Sequence, residues 1–501
     1  MRAYLHPTIL KAFPRQPAAA SSFRFQGDEQ LMFQMVTENI RQEIRKDPIL
    51  SGLSTLARER SIPLFLVGGY LRDLLLGTQG KDYDFALPKD ASSSIEIIEE
   101  ALGLHFFKAG KEERNTITYR TIQEGLSIDI AFLQGETIEE DLRKRDFTIN
   151  AMAFSVRDET FHPVEGSLED MGKRLIRTVS DRSIDQDPLR MLRAIRYFCT
   201  LEGFILDEDL IREISSKKGQ LTKTPGERIK TELDQILLSP RPFSGVRSLY
   251  ESTLLLTLFP ELGGLENLSQ GEYHHLNVLP HVLLAIEKIS WALEWIASRA
   301  KTISLIEEER LALYYAILFH DIGKQDTYSE DAKGAVHFYF HESHSCQRAE
   351  GIMERLRFSN QLKDRVLHLV QHHMRILNLP SGTREGALKR LVNQIGEETP
   401  LLVLHTLADK EASRGILSIQ IDEVVEGHCL RILELFGEKD IVHPPPLING
   451  HDVMALGYSP GPKVGRILDF ISQKQIEGEI KNREEALRML EEEFGHKKER
   501  R

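Results

Sequence analysis

Two short stretches of the chain alternate between polar and apolar positions. They are Asp82-Tyr83-Asp84-Phe85-Ala86-Leu87 and Leu126-Ser127-Ile128-Asp129-Ile130-Ala131-Phe132. A two-residue period predicts β-strands whose successive side chains face opposite ways. Tyr83 and Phe85 then point one way, and Asp82 and Asp84 the other. In the second stretch Leu126, Ile128 and Ile130 take the buried face, and Asp129 stands opposite, beside small Ser127 and Ala131. An apolar strand at Leu66-Val67 runs into Gly68-Gly69 and a short helix ending near Gly77. The rest of the chain has a helical pattern. Gln30 to Arg60 reads as helix. Asp187-Pro188 is a cap followed by proline at a helix start, and Thr224-Pro225-Gly226 opens another helix. Asn277 to His281 opens an apolar helix, and Leu311–Phe319 is a further apolar run. The expected fold class is α+β, a small mixed sheet with helices followed by all-helical segments from residue 156.

The chemistry collects around the strands. An Asp-x-Asp pair alone is commonly a solvated turn, and a Gly-Gly pair alone merely a turn. In the order found here they suggest more. Gly68 and Gly69 lack Cβ atoms, so an anion can approach their amides and the helix N-terminus that follows. Asp82 and Asp84 repel each other unless a cation intervenes, and two Mg²⁺ ions carrying a nucleoside triphosphate would satisfy them. Asp129 is a candidate third carboxylate, helping to activate a terminal hydroxyl for in-line attack on an α-phosphate.

Downstream, Arg143-Lys144-Arg145 suits triphosphate oxygens. Asp146 and Asn150 share a face if their segment is helical and would read ribose hydroxyls. Asp187 and Arg190 lie within one turn. A carboxylate beside a guanidinium can read the hydrogen-bonding edge of a base. Equally, Asp187 only caps a helix while Arg190, Arg193 and Arg196 bind RNA phosphates.

These segments resemble the class II tRNA nucleotidyltransferases and bacterial poly(A) polymerases of the polymerase β superfamily. The carrying residues are Leu66–Gly77, Asp82-x-Asp84, Arg145-Asp146-Phe147-Thr148-Ile149-Asn150-Ala151, Asp187-Pro188-Leu189-Arg190 and Arg193-Ala194-Ile195-Arg196, with a connector-like stretch at Phe161–Arg177. The resemblance implies a polymerase-β-like head and template-independent addition of CTP- and ATP-derived nucleotides to the tRNA 3′ end. Its alternative is poly(A) synthesis. It makes Asp82 and Asp84 ligands of two Mg²⁺ ions, with Asp129 the third carboxylate. It assigns Gly68, Gly69 and Arg72 to triphosphate, and Arg145, Asp146 and Asn150 to sugar and phosphate. Asp187 and Arg190, with Arg193 and Arg196 behind them, would bind the incoming nucleotide and select C or A. Two features depart from the family pattern. Gln186 stands where the template motif usually has Glu. Only Ala131 to Glu140 separates the Asp129 strand from Asp141-Leu142, where CCA-adding relatives carry a longer flexible loop linked to the switch from C to A. The short interval suggests a specialist that stops at CC.

A second constellation lies further on. Adjacent His320-Asp321 at a helix end can bind a divalent metal through imidazole and carboxylate. With His281, His341, His373 and Asp409 the order resembles an HD-domain phosphohydrolase holding a divalent transition metal. Adjacent His372 competes with His373 for one position. The resemblance includes bacterial relatives that carry such a domain, with either hydrolytic activity or an idle site. A third reading is therefore an HD phosphohydrolase whose polymerase-like part only binds RNA. The expected domains are 1–55 (extension and helix), 56–155 (catalytic head), 156–265 (all-helical neck and body), 266–430 (HD domain) and 431–501 (helical tail).

Composition narrows the picture less. The chain has 501 residues, 41% of them hydrophobic, and a formal charge of −12, which by itself does not suggest a nucleic-acid binder. Local patches decide. They are Arg143–Arg145, Lys173-Arg174 with Arg177, the arginines at 190–196, and Lys217-Lys218 to Lys230. Three cysteines without paired spacing suit a reducing compartment, and no apolar run reaches membrane-spanning length. The first 27 residues lack Asp and Glu but contain Arg2, Lys11, Arg15 and Arg24. That composition fits a disordered extension on a bacterial cytoplasmic enzyme, with an organellar leader as the alternative. Lys497 to Arg501 reads as a solvated tail. The expected partners are tRNA, CTP and ATP, with no membrane; the sequence leaves monomer and dimer open.

Overall fold

A computed structural model of the protein describes residues 29–78, 82–109, 117–123, 125–271, 274–300, 302–413, 422–442 and 444–495. The acid-free N-terminus and the Lys497–Arg501 tail lie outside these residues. The chain divides into two compact units. One comprises residues 1–190 with 202–211, and the other 191–201 with 212–501.

The first unit is built on a seven-stranded mixed sheet. Its strands are β1 (Phe65–Val67), β2 (Asp82–Leu87), β3 (Phe107–Ala109), β4 (Thr118–Gln123), β5 (Leu126–Phe132), β6 (Met152–Ser155) and β7 (Thr160–Pro163), in the order β3-β4-β5-β2-β1-β6-β7. The predicted alternation holds in both carboxylate strands: Tyr83, Phe85, Ile128 and Ile130 are buried, while Asp82 is exposed and Asp84 and Asp129 are half-buried. β2 and β5 are parallel, and Asp84 pairs in register with Asp129.

Two expectations need correction. Residues 29–60 are not one helix but two, Glu29–Lys46 and Pro48–Glu59. Asp47 breaks them: its Oδ1 accepts from the amides of Ile49 and Leu50, and Pro48 occupies the first helical position. The segment from 156 is also not all-helical at its start. β7 pairs with β6, so the sheet continues past the expected boundary at 155. A further two-stranded pair joins β8 (Leu175–Ile176) to β9 (Ile205–Leu206). Strand pairing satisfies backbone groups over segments too short to show a period of their own.

Among its described residues, the second unit is helical apart from a ribbon of β10 (Tyr328–Glu330) and β11 (Val336–Phe338). Helices Val278–Ala297, Glu307–Phe319, His341–Arg355, Asn360–His372 and Thr399–Ser413 enclose a core that includes Tyr315, Phe319, Ile352 and Leu404. Residues 448–490 form a smaller core of their own around Val453, Ile467, Ile471 and Leu490. Cys199, Cys346 and Cys429 are free thiols. Among the described residues no helix is long and apolar enough to cross a membrane.

Candidate active site

The glycine turn meets the carboxylate strand at Gly68. Its φ is +73°, a left-handed conformation that a side chain disfavours. A Cβ there would lie 3.3 Å from Asp84 Oδ2 and 3.3 Å from Arg145 Nη1. The turn, the central carboxylate and the basic motif therefore converge on one backbone position. Arg145 is steadied by Asp141, whose Oδ2 accepts from Nε and Nη2 at 3.1 Å each.

Around the turn a buried network links three predicted residues. Arg72 Nη1 donates to Asn150 Oδ1 at 2.8 Å, and Asn150 Nδ2 donates to Asp146 Oδ1 at 3.2 Å. Arg72 also donates to Asp73 at 2.8 Å. Asp146 and Asn150 do face each other, through a 3₁₀ turn at Thr148–Asn150 rather than an α-helix. Behind it, Thr148 Oγ1 donates to buried Asp170 at 2.6 Å, and Asp170 also accepts from Arg177.

The electrostatics favour a cation here. Burial, then the Asp129 carboxylate, pushes Asp84 up to about 6 against the pull of Arg145; Asp82 adds to the rise and Arg120 opposes it. A carboxylate pair in one register, where burial and the neighbouring charge disfavour ionisation of Asp84, is a donor set suited to a divalent oxygen-binding ion. Asp82, Asp84 and Asp129 are the residues that would hold it. Arg120 on β4 was not anticipated. It lies opposite Asp129 and donates to both carboxylate oxygens, at 2.7 and 2.5 Å.

Asp187 caps the turn before helix Arg190–Thr200, its Oδ1 accepting from Leu189 N at 3.2 Å. Arg190 donates to the carbonyls of Lys144 (2.7 Å) and Ser183 (3.2 Å) and to Gln186 Oε1 (3.4 Å). Gln186 thus still orients Arg190, without a charge. In the second unit Arg193 and Arg196 donate to buried Glu232 at 3.2 and 2.7 Å. A carboxylate 36 residues beyond Arg196 is not visible as a partner in the sequence.

Comparisons with known proteins place the chain in a family. Residues 64–177 match the family model of the poly A polymerase head domain, and 203–264 match one described as "Probable RNA and SrmB- binding site of polymerase A". Residues 328–490 match a model for domain 2 of tRNA nucleotidyltransferases. The chain is 34% identical over 435 residues to the CC-adding tRNA nucleotidyltransferase of Thermus thermophilus, covering 85% of this chain and 92% of that protein. It is 32% identical over 428 residues to the A-adding tRNA nucleotidyltransferase of Deinococcus radiodurans, covering 84% and 93%. The chain belongs to the tRNA nucleotidyltransferase and poly(A) polymerase family. The fold agrees with that of the Thermotoga maritima CCA-adding enzyme complexed with tRNA, with a TM-score of 0.59, 22% identity, and coverage of 91% of this chain and 97% of that one.

This nucleotidyltransferase has a second polar cluster, in its helical unit. His281, His320, Asp321, His341, His373 and Asp409 come together there, all buried. Two ligand groups share Asp321: His281 with His320, and His341 with His373. His320, His341 and His373 each place Nδ1 within 2.7–2.9 Å of a backbone carbonyl, those of Ile317, Phe338 and Val370. Those acceptors assign the proton to Nδ1 and leave each Nε2 facing inward as a lone-pair donor. His281 Nε2 is 2.8 Å from Asp409 Oδ1. Among the described residues, both ring nitrogens of His281 and the Nε2 of His320 make no hydrogen bond, although His281 Nε2 lies against Asp409 and His320 Nε2 lies 3.2 Å from Asp321 Oδ2. Orphaned buried nitrogens beside two carboxylates fit a transition-metal ion. His372 is turned away, its ring 4.7 Å from that of His368.

Sequence reasoning missed two members of this cluster. His405, one turn before Asp409, is fully buried with both nitrogens unpartnered, and burial, with nearby His320, drives it down to about 3. Its four-residue spacing from Asp409 was the available signal. Lys324 Nζ bridges Asp321 Oδ2 (2.7 Å) and Gln270 Oε1 (2.6 Å). Burial opposes ionisation of Asp321, yet His320 and Lys324 hold its carboxyl well below the usual range.

Proposed function

We propose that the protein joins nucleotides from CTP to the 3′ end of tRNA, without a nucleic-acid template, and that it stops at CC. The observation that carries the transfer chemistry is the meeting of Gly68, Asp84, Asp129 and Arg145. Asp82, Asp84 and Asp129 would hold two Mg²⁺ ions, which when bound neutralise triphosphate charge and acidify the attacking hydroxyl. Gly68, Gly69 and Arg72 receive the triphosphate. Arg145, Asp146 and Asn150 contact sugar and phosphate. Asp187 and Arg190 present a carboxylate and a guanidinium to the base. The tRNA 3′-hydroxyl oxygen bonds to the α-phosphorus, and the bond to pyrophosphate breaks.

The stop at CC is argued from the connection between β5 and helix Ile138–Arg143. Residues 133–137 form it, and it is tied down: Leu133 N donates to Leu87 O at 2.9 Å, Gln134 N to Asp141 Oδ1 at 2.9 Å, and Thr137 caps the helix. A connection this short and this bonded leaves little chain to swing between two nucleotide-binding states.

The test offers CTP, ATP or both with tRNA lacking CCA, tRNA ending in CC, and an unstructured RNA. Products ending at CC support the proposal. Addition of A to tRNA ending in CC overturns the CC limit, and long A tails on unstructured RNA identify a poly(A) polymerase. Extension that survives Asp82→Ala with Asp84→Ala removes the proposed chemistry.

A second reading concerns the histidine cluster, favoured by its orphaned imidazole nitrogens. We propose residues 266–430 as an HD-type domain whose His281, His320, Asp321, His341, His373 and Asp409 hold a divalent transition metal. Phosphate release from 2′-phosphate ends, or opening of 2′,3′-cyclic ends to a terminal monophosphate, lost in His320→Ala, would establish hydrolysis. Metal retention without release would mark an idle site.

A further inference from the structure

We propose that Asp47 is a positioning residue for nucleotide transfer, clamping the catalytic strand to the helix of the glycine turn from the face opposite the carboxylates. The inference rests on the transfer reading above and adds a residue to it. Asp47 lies outside the part of the chain that matches the head-domain model, which begins at residue 64.

Both oxygens of Asp47 are in use. Oδ1 accepts from the amides of Ile49 and Leu50 at 2.9 and 3.0 Å, which fixes the carboxylate at the start of helix Pro48–Glu59. Oδ2 accepts from Tyr83 Oη at 2.6 Å and from Tyr70 Oη at 3.4 Å. The two tyrosine rings stack, with centroids 5.0 Å apart and planes 24° from parallel. Tyr83 lies between Asp82 and Asp84 in β2, on the strand's other face. Tyr70 follows Gly68-Gly69 in helix Gly69–Leu75. One carboxylate therefore grips the strand that carries two metal-ligand candidates and the helix that follows the triphosphate turn.

The geometry is suited to setting a distance. Hydrogen bonds from neutral hydroxyls to an ionised acceptor are among the stronger ones, and both tyrosines are buried. Helix Pro48–Glu59 is held elsewhere too: Ser54 Oγ donates to Val156 O at 3.1 Å. That second tether makes a control, because cutting it loosens the same helix without touching either tyrosine.

The experiment compares Tyr83→Phe, Asp47→Asn and Ser54→Ala with wild type, using tRNA lacking CCA and CTP. It reads kcat, KM for CTP, the Mg²⁺ concentration giving half-maximal rate, and Tm. Tyr83→Phe leaves the helix cap intact, and Asn caps as well as Asp. Both variants are expected to lower kcat about five- to twentyfold and to raise the Mg²⁺ requirement about threefold, because small misplacement of reacting groups is costly. KM for CTP should stay within about twofold, since the turn itself is intact. Ser54→Ala should lower Tm and leave kcat and the Mg²⁺ requirement unchanged. The double variant of Asp47 and Tyr83 should be little worse than either single one. A wild-type kcat and Mg²⁺ profile in Tyr83→Phe overturns the clamp. So does a kcat that merely follows Tm across all three variants. A wild-type chain that incorporates nothing overturns the transfer reading and the clamp with it, whereas active wild type beside an indifferent Tyr83→Phe overturns the clamp alone.

Discussion

Arg120 and Asp129 face each other across adjacent antiparallel strands and are joined by two hydrogen bonds, Nε to Oδ1 at 2.7 Å and Nη2 to Oδ2 at 2.5 Å. The third carboxylate of the site is therefore oriented by a guanidinium fork. Arg120 also opposes the rise of the neighbouring Asp84. Lys cannot reproduce a bidentate pair. Arg120→Lys is expected to lower kcat for CTP incorporation about fivefold and Arg120→Ala about tenfold or more, the scale of a lost positioning contact. A Mg²⁺ titration of single-turnover rates checks this. An Arg120→Ala rate equal to wild type at every Mg²⁺ concentration would exclude a role for the fork.

Asp84 makes the metal-free protein sensitive to pH. Its folded value is about 6, raised from 3.8 by burial and by Asp129. A carboxyl raised on folding favours the native state while protonated. Its contribution is complete below about pH 4 and is lost as pH rises through about 6. Asp84→Asn removes that penalty. In EDTA, Asp84→Asn and wild type should have similar stability near pH 4, with the variant ahead by roughly 2–3 kcal/mol above pH 7. Thermal unfolding from pH 4 to 8 measures the difference. A gap that does not change with pH would refute the assignment, and added Mg²⁺ should narrow the gap by stabilising wild type alone.

Much of this site could be read from the chain because the two faces of β2 and β5 differ in solvation, which stamps a two-residue period on the sequence. The histidine cluster was legible for a different reason. An imidazole in an apolar run is costly without a partner, so His281, His320 and His341 stand out. His405 was missed because it lies in a run of leucines whose helical burial already accounts for its neighbours. The partners that decide charge were not legible. Arg120 meets Asp129 only through strand pairing, Glu232 reaches Arg193 and Arg196 from another helix, and Asp47 meets Tyr83 across 36 residues. The break at Asp47-Pro48 was missed, although it carries the same cap-then-proline signal as Asp187-Pro188. β7 was missed because it has only four residues, and its place is set by β6.

Gly68 and Gly77 separate backbone strain from site geometry. Both have positive φ, +73° and +75°. A Cβ at Gly77 meets nothing within 4 Å, whereas at Gly68 it meets Asp84 and Arg145 at 3.3 Å. Either substitution by Ala costs about 1–2 kcal/mol of backbone strain. Only Gly68→Ala should also abolish activity, by pressing on Asp84 and Arg145 and occupying the path of the triphosphate. Expected values are a kcat loss of about a hundredfold or more for Gly68→Ala and an unchanged kcat for Gly77→Ala, with comparable falls in Tm. Equal activity losses in both would mean that turn strain alone limits the reaction.

Asp321 is the shared member of both ligand groups in the histidine cluster, so it is the single residue whose loss should empty the site. With Asp321→Asn, both groups lose an anionic oxygen, while Lys324 loses the partner that now neutralises it. Wild-type protein incubated with Mn²⁺, Co²⁺, Ni²⁺ or Zn²⁺ and desalted should retain at least one of these ions. Its Tm should rise on loading, since an ion at a hundred times its Kd adds about 2.7 kcal/mol to the folded state. Affinity should fall as pH drops, because the inward-facing Nε2 atoms must be unprotonated to bind. Asp321→Asn should retain none and show no rise. It should also add nucleotides at the wild-type rate, because none of the three transfer carboxylates belongs to this cluster. Elemental analysis and thermal unfolding provide the measurement. Wild type that binds none of the four ions, or a Tm that rises equally in Asp321→Asn, would leave the orphaned nitrogens of His281 and His320 without a metal to explain them.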